Sequence, residues 1–96
     1  MNIEDIKKII EKHKTILTEQ YKVKSIGVFG SYIKSFPNEK SDIDILVEFS
    51  ETPDIFEFIK LEEYLTQILG IKVDLVTKKA LKPFLREGIL KEIVYL

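Results

Sequence analysis

Cysteine and tryptophan are absent from this chain of 96 residues, and histidine and methionine occur once each. The missing thiols exclude disulfides and thiolate metal sites. The lone histidine, His13, has no partner motif near it and reads as a surface or boundary residue rather than a positioned general base. Neither sign of charge is in excess: the formal net charge is −1 with a pI near 5.9, which lacks the basic balance of an autonomous nucleic-acid binder. No long apolar run is available to act as a signal peptide or membrane span, so the expected address is cytoplasmic. Repeats and low-complexity tracts are also missing. What remains is 45% hydrophobic and 32% charged, enough for a modest core and a soluble surface. We expect one domain over residues 1–96, with no room for a separate substrate domain.

Hydrophobic spacing orders the chain. Ile3, Ile6, Ile9, Ile10, Ile16 and Leu17 recur at near-helical intervals, predicting an amphipathic helix from about Ile3 to Tyr21. Val23–Phe29 is β-branched and aromatic and stops at Gly30, as a buried strand entering a tight turn does. A short helix is expected from Ser31, ending by Phe36-Pro37-Asn38. Asp42–Phe49 reads as a second strand. Thr52-Pro53-Asp54 opens a longer helix, with Phe56, Ile59, Leu61, Leu65 and Leu69 as core residues and Gly70 as its stop. Lys72–Val76 is a third strand, and a last helix is expected around Pro83–Tyr95. The resulting α-β-α-β-α-β-α order suits a small α/β domain with helices on a mixed sheet.

The chemistry concentrates around two of these junctions. Gly30-Ser31 is followed, after ten intervening residues, by Asp42-Ile43-Asp44. Ser31 suits a helix N-cap, where unpaired backbone N–H groups and the helix dipole favour a phosphate, and glycine permits close approach. The period of two on a strand sends Asp42 and Asp44 to one face. Adjacent anions on an apolar strand repel unless protons or a cation lie between them, and hard oxygen donors suit Mg²⁺ bridging to phosphates. Asp74 interrupts the apolar Ile71–Val76 run. Were its strand to lie beside the first acidic one, it would complete a three-carboxylate site. Lys22, Lys24, Lys34 and Lys40 surround these motifs in sequence and fit triphosphate attraction or an ordinary solvated face equally; Lys34 and Lys40 are taken as the candidate phosphate partners. Phe56, Phe58 and Tyr64 read as packing. Tyr32 fits nucleotide contact or exposed packing equally, and Glu62-Glu63 reads as a solvated helix face.

Phe29-Gly-Ser-Tyr-Ile-Lys-Ser35, Lys40-Ser-Asp-Ile-Asp-Ile-Leu-Val47, Val73-Asp-Leu-Val76 and the tail Leu85–Leu96 together resemble the DNA polymerase beta-like nucleotidyltransferase superfamily. The similarity is to its smallest branch, the minimal nucleotidyltransferases of the MNT type, and covers nearly the whole chain. One departure is Lys34-Ser35, where the family commonly carries arginine and glycine; lysine offers a point charge without the bidentate arginine contact.

The resemblance implies a polymerase-beta palm-like fold with the carboxylates on one exposed sheet face and helices on the other. It implies Mg²⁺, as two ions held by Asp42, Asp44 and Asp74, and ATP as substrate with Gly30 and Ser31 on its phosphates. It also implies an antitoxin that adenylylates a tyrosine of a HEPN-type ribonuclease toxin. A masking antitoxin with weak or absent chemistry, and a transferase acting on a small molecule, are the alternatives. Homo-oligomerisation stays open.

Overall fold

The computed structural model describes residues 2–30 and 42–96. Helix α1 (Ile3–Lys12) starts at a capping box: Asn2 accepts from the Asp5 backbone N–H while the Asp5 carboxylate accepts from that of Asn2. Both amides would otherwise lack partners at the helix start. Ile6 and Ile10, one turn apart, are its buried stripe. The first helix expected from the sequence is broken in two at His13, whose backbone leaves helical geometry at φ −108°, ψ 10°. Helix α2 (Lys14–Glu19) follows and buries Leu17. His13 is held at that break by its Nδ1 against the Ile9 carbonyl, 2.9 Å away, and by an edge-on contact with Tyr64. It is the boundary residue expected.

Strands β1 (Val23–Phe29), β2 (Ile43–Phe49), β3 (Val73–Thr77) and β4 (Val94–Tyr95) form a mixed sheet in the order β3-β2-β1-β4. β1 pairs antiparallel with β2 and with β4, whereas β2 and β3 are parallel and joined through helix α3 (Ile55–Leu69). Alternation along β2 divides the sheet. Ile43, Ile45 and Val47 enter one core with Ile6, Ile10 and Leu17 of the first two helices and Leu61, Leu65 and Leu69 of α3. Asp44, Leu46 and Glu48 take the opposite face. Asp54 caps α3 through a second capping box with Glu57, and Gly70 closes it in the left-handed conformation at φ 71°. That stop is the one glycine allows at least cost.

Three further expectations are corrected. Phe56 and Ile59 are not core residues: they are 72% and 43% exposed, on the outer side of α3, while Phe58 packs against Phe49. The last helix, α4 (Pro83–Glu92), ends before Tyr95, and Val94–Tyr95 joins the sheet as a fourth strand. The acidic strand begins at Ile43, leaving Asp42 just outside it. Among the described residues no helix is long and apolar enough to cross a membrane.

Candidate active site

Asp44 is the second residue of β2 and Asp74 the second of β3, and the parallel register makes them direct partners. Side chains at paired positions of neighbouring strands leave the same face, so both carboxylates project from the side away from the helical core. Asp42, exposed at the approach to β2, adds a third negative charge. Burial first, then the charges of Asp74 and Asp42, hold the Asp44 carboxyl above its ordinary value of 3.8, and a hydrogen bond with the Asp74 side chain acts in the same direction. Each cause disfavours ionised Asp44.

Gly30 borders the same carboxyl. β1 ends at Phe29, the register partner of Asp44, and the chain then turns at Gly30 with φ 81°. A Cβ at Gly30 would overlap Asp44 Oδ2 and lie 3.2 Å from Asp44 Cγ. Glycine permits the backbone conformation and makes room for the acid at once. The space that glycine leaves is thus taken up by the Asp44 carboxylate.

Ser31, Lys34, Lys40 and Tyr32, and the short helix expected from Ser31, lie outside the described residues. Lys22 and Lys24 lie at the start of β1, the opposite end from Gly30. With about 3.3 Å per strand residue, that is roughly 20 Å from the acids.

Sequence reasoning missed the support behind Asp74. Glu62, read as solvated, is partly buried, and its Oε2 accepts from the Leu75 backbone N–H at 2.9 Å. One turn later Thr66 Oγ1 accepts from the Val73 N–H at 3.0 Å. The available signal was the four-residue spacing that puts two acceptors on one helix face; that this face meets the edge amides of β3 is visible only in the fold.

Residues 10–96 match the family model described as a nucleotidyltransferase domain. This chain belongs to that nucleotidyltransferase family. Two relatives span it almost completely. One, from Methanocaldococcus jannaschii and provisionally named a protein adenylyltransferase, is 57% identical over 94 residues, 97% of this chain and 96% of its own length. The other, the protein adenylyltransferase MntA of Thermococcus cleftensis, is 47% identical over 95 residues, 99% and 96% of the two chains. Among solved structures, a protein provisionally named a minimal nucleotidyltransferase superposes with a TM-score of 0.83 at 32% identity, covering 100% of this nucleotidyltransferase and 97% of that chain. A toxin–antitoxin structure with AMP-PNP reaches 0.70 at 28% identity, covering 88% and 70%. A tri-AMPylated Shewanella oneidensis HEPN toxin in complex with its MNT antitoxin reaches 0.66 at 25%, covering 94% and 70%. The minimal nucleotidyltransferase resemblance and the mixed α/β fold both stand.

Proposed function

We propose that this nucleotidyltransferase moves AMP from ATP to a tyrosine hydroxyl of a HEPN-type toxin and acts as that toxin's antitoxin. The observation that carries the reading is the Asp44–Asp74 pair on one rung of the sheet, with Asp42 close enough to disfavour ionised Asp44 and Gly30 leaving space for its carboxyl. Carboxylates forced together in this way gain from a shared cation. The likeness to protein adenylyltransferases and to an AMPylated toxin complex supports the choice of reaction and acceptor.

The donor set is all carboxylate oxygen, which fits Mg²⁺. No three His, Cys, Asp or Glu side chains among the described residues close into a preformed cage. An open arrangement still fits Mg²⁺, which binds through one or two carboxylates and takes its other ligands from water and substrate phosphates. Asp42, Asp44 and Asp74 would hold two ions. Bound there, Mg²⁺ supplies charge stabilisation to the attacking and leaving oxygens.

The chain's own groups do the rest. Asp74 orients the tyrosine hydroxyl and takes its proton. The phenolic oxygen bonds to the α-phosphorus of ATP as the bond from that phosphorus to the β-phosphate bridge breaks, and pyrophosphate leaves. Gly30, Ser31, Lys34 and Lys40 are the proposed contacts to the triphosphate. We assign these groups to one domain over residues 1–96, and the acceptor hydroxyl to the partner protein. The proposed address is cytoplasmic.

The test incubates the HEPN-type partner with this protein, ATP and Mg²⁺, separates the two, and measures partner mass and ribonuclease activity. Added AMP mass with persistent inhibition is the expected result. An unmodified partner that recovers full activity on separation would replace the transferase with a masking antitoxin.

A further inference from the structure

Edge strand β3 carries Asp74, and it is loaded at the rung where Asp74 faces Asp44. Like charges on paired positions push neighbouring strands apart. Among the described residues, the parallel ladder with β2 holds β3 from one side only, because β3 ends the sheet. Alternate amides of such a strand point outward and lack strand partners.

α3 supplies what the sheet lacks. Glu62 and Thr66 take the outward amides of Leu75 and Val73 at 2.9 and 3.0 Å. These two amides bracket Asp74 on both sides in the chain. The helix thus grips the strand immediately before and after its acid, from behind the face on which the acid projects. A carboxylate acceptor makes the Leu75 bond charge-assisted, the stronger kind.

We propose that Glu62 and Thr66 are positioning residues for Asp74: they hold β3 so that its carboxylate stays in register with Asp44 against their mutual repulsion. Neither touches substrate. The proposal rests on the transferase reading for its effect on rate, whereas its effect on Asp74 placement is independent of that reading.

The experiment compares Glu62→Ala with Glu62→Gln, and Thr66→Val with Thr66→Ser; the second of each pair retains an acceptor oxygen. Amide exchange at Leu75 and Val73, the carboxyl-carbon NMR signal of Asp74, and AMP transfer onto the HEPN-type partner are measured in each. Glu62→Ala and Thr66→Val are expected to speed exchange at the amide they release and to shift the Asp74 signal. They should lower kcat by roughly tenfold to a hundredfold, the scale of a misplaced catalytic group, with KM for ATP nearly unchanged. Glu62→Gln and Thr66→Ser should restore all three. An Asp74 signal unmoved in Glu62→Ala, or a Glu62→Gln variant as impaired as Glu62→Ala, would overturn the proposal. If the wild-type protein transfers no AMP, the functional reading fails alone, and the Asp74 signal still decides whether Glu62 and Thr66 place that residue.

Discussion

The space a side chain would need at Gly30 is already occupied by the Asp44 carboxylate. A turn that reads in sequence as a phosphate cradle is therefore also the wall of the acid site. Gly30 sits at φ 81°, where a side chain is strained even in open space. Gly30→Ala should lose transfer activity and cost about 1–3 kcal/mol of stability from backbone strain, before the clash is added. Combining it with Asp44→Ala should cost less than the sum of the two changes, because the second removes the obstructing carboxylate. Urea melts of the single and double variants measure this; strict additivity would mean that the two residues do not press on one another.

Asp44→Asn separates chemistry from folding. The folded-state carboxyl is raised above 3.8, chiefly by burial and then by Asp74 and Asp42. An acid raised on folding binds more protons folded than unfolded, so ionising it destabilises the protein. The cost is absent below the unfolded value and develops as pH rises through the higher folded value. Wild-type stability should therefore fall across that window relative to Asp44→Asn, which should melt at an equal or higher temperature at pH 7 while losing nearly all transfer. Thermal melts from pH 3 upward test the sign. A destabilised Asp44→Asn would make Asp44 a structural residue.

The core assignment along α3 is testable residue by residue. Leu65 is fully buried and Phe56 is 72% exposed. Leu65→Ala should cost about 2–5 kcal/mol through lost burial and the cavity left behind. Phe56→Ser should stay within about 0.5 kcal/mol, as surface changes do. Denaturant midpoints give both values, and comparable losses at the two positions would contradict the orientation of α3.

The fourth strand depends on a missing side chain at Gly27. A Cβ there would lie 2.6 Å from Ile93 Cδ1 and 3.2 Å from the Val94 carbonyl oxygen. The first contact is a flexible tip that can yield; the second is backbone. Gly27→Ala should be tolerated better than Gly27→Val, which should cost about 1–3 kcal/mol as overpacking does. It should also loosen the Leu96 N–H, now bonded to the Ile26 carbonyl at 2.9 Å. Faster amide exchange at Leu96 in Gly27→Val is the readout.

Local patterns settled a good deal. The β-branched runs announced β1, β2 and β3; Asp54 and Gly70 marked the ends of α3; and the spacing of Asp42, Asp44 and Asp74 around Gly30 marked the acid site. Each is readable because propensity, capping and strand alternation act over a few residues. What sequence could not supply was pairing. Whether Asp74 stands beside Asp44 depends on β3 running parallel to β2 in one particular register, and a slip of one residue would turn Asp74 into the core. The break at His13 and the recruitment of Val94–Tyr95 to the sheet likewise follow from contacts with distant segments, Tyr64 in one case and Gly27 in the other. Glu62 shows the limit most clearly. Its neighbours in sequence describe a solvated helix face, and only the folded chain brings the Leu75 amide, 13 residues away, to its carboxylate.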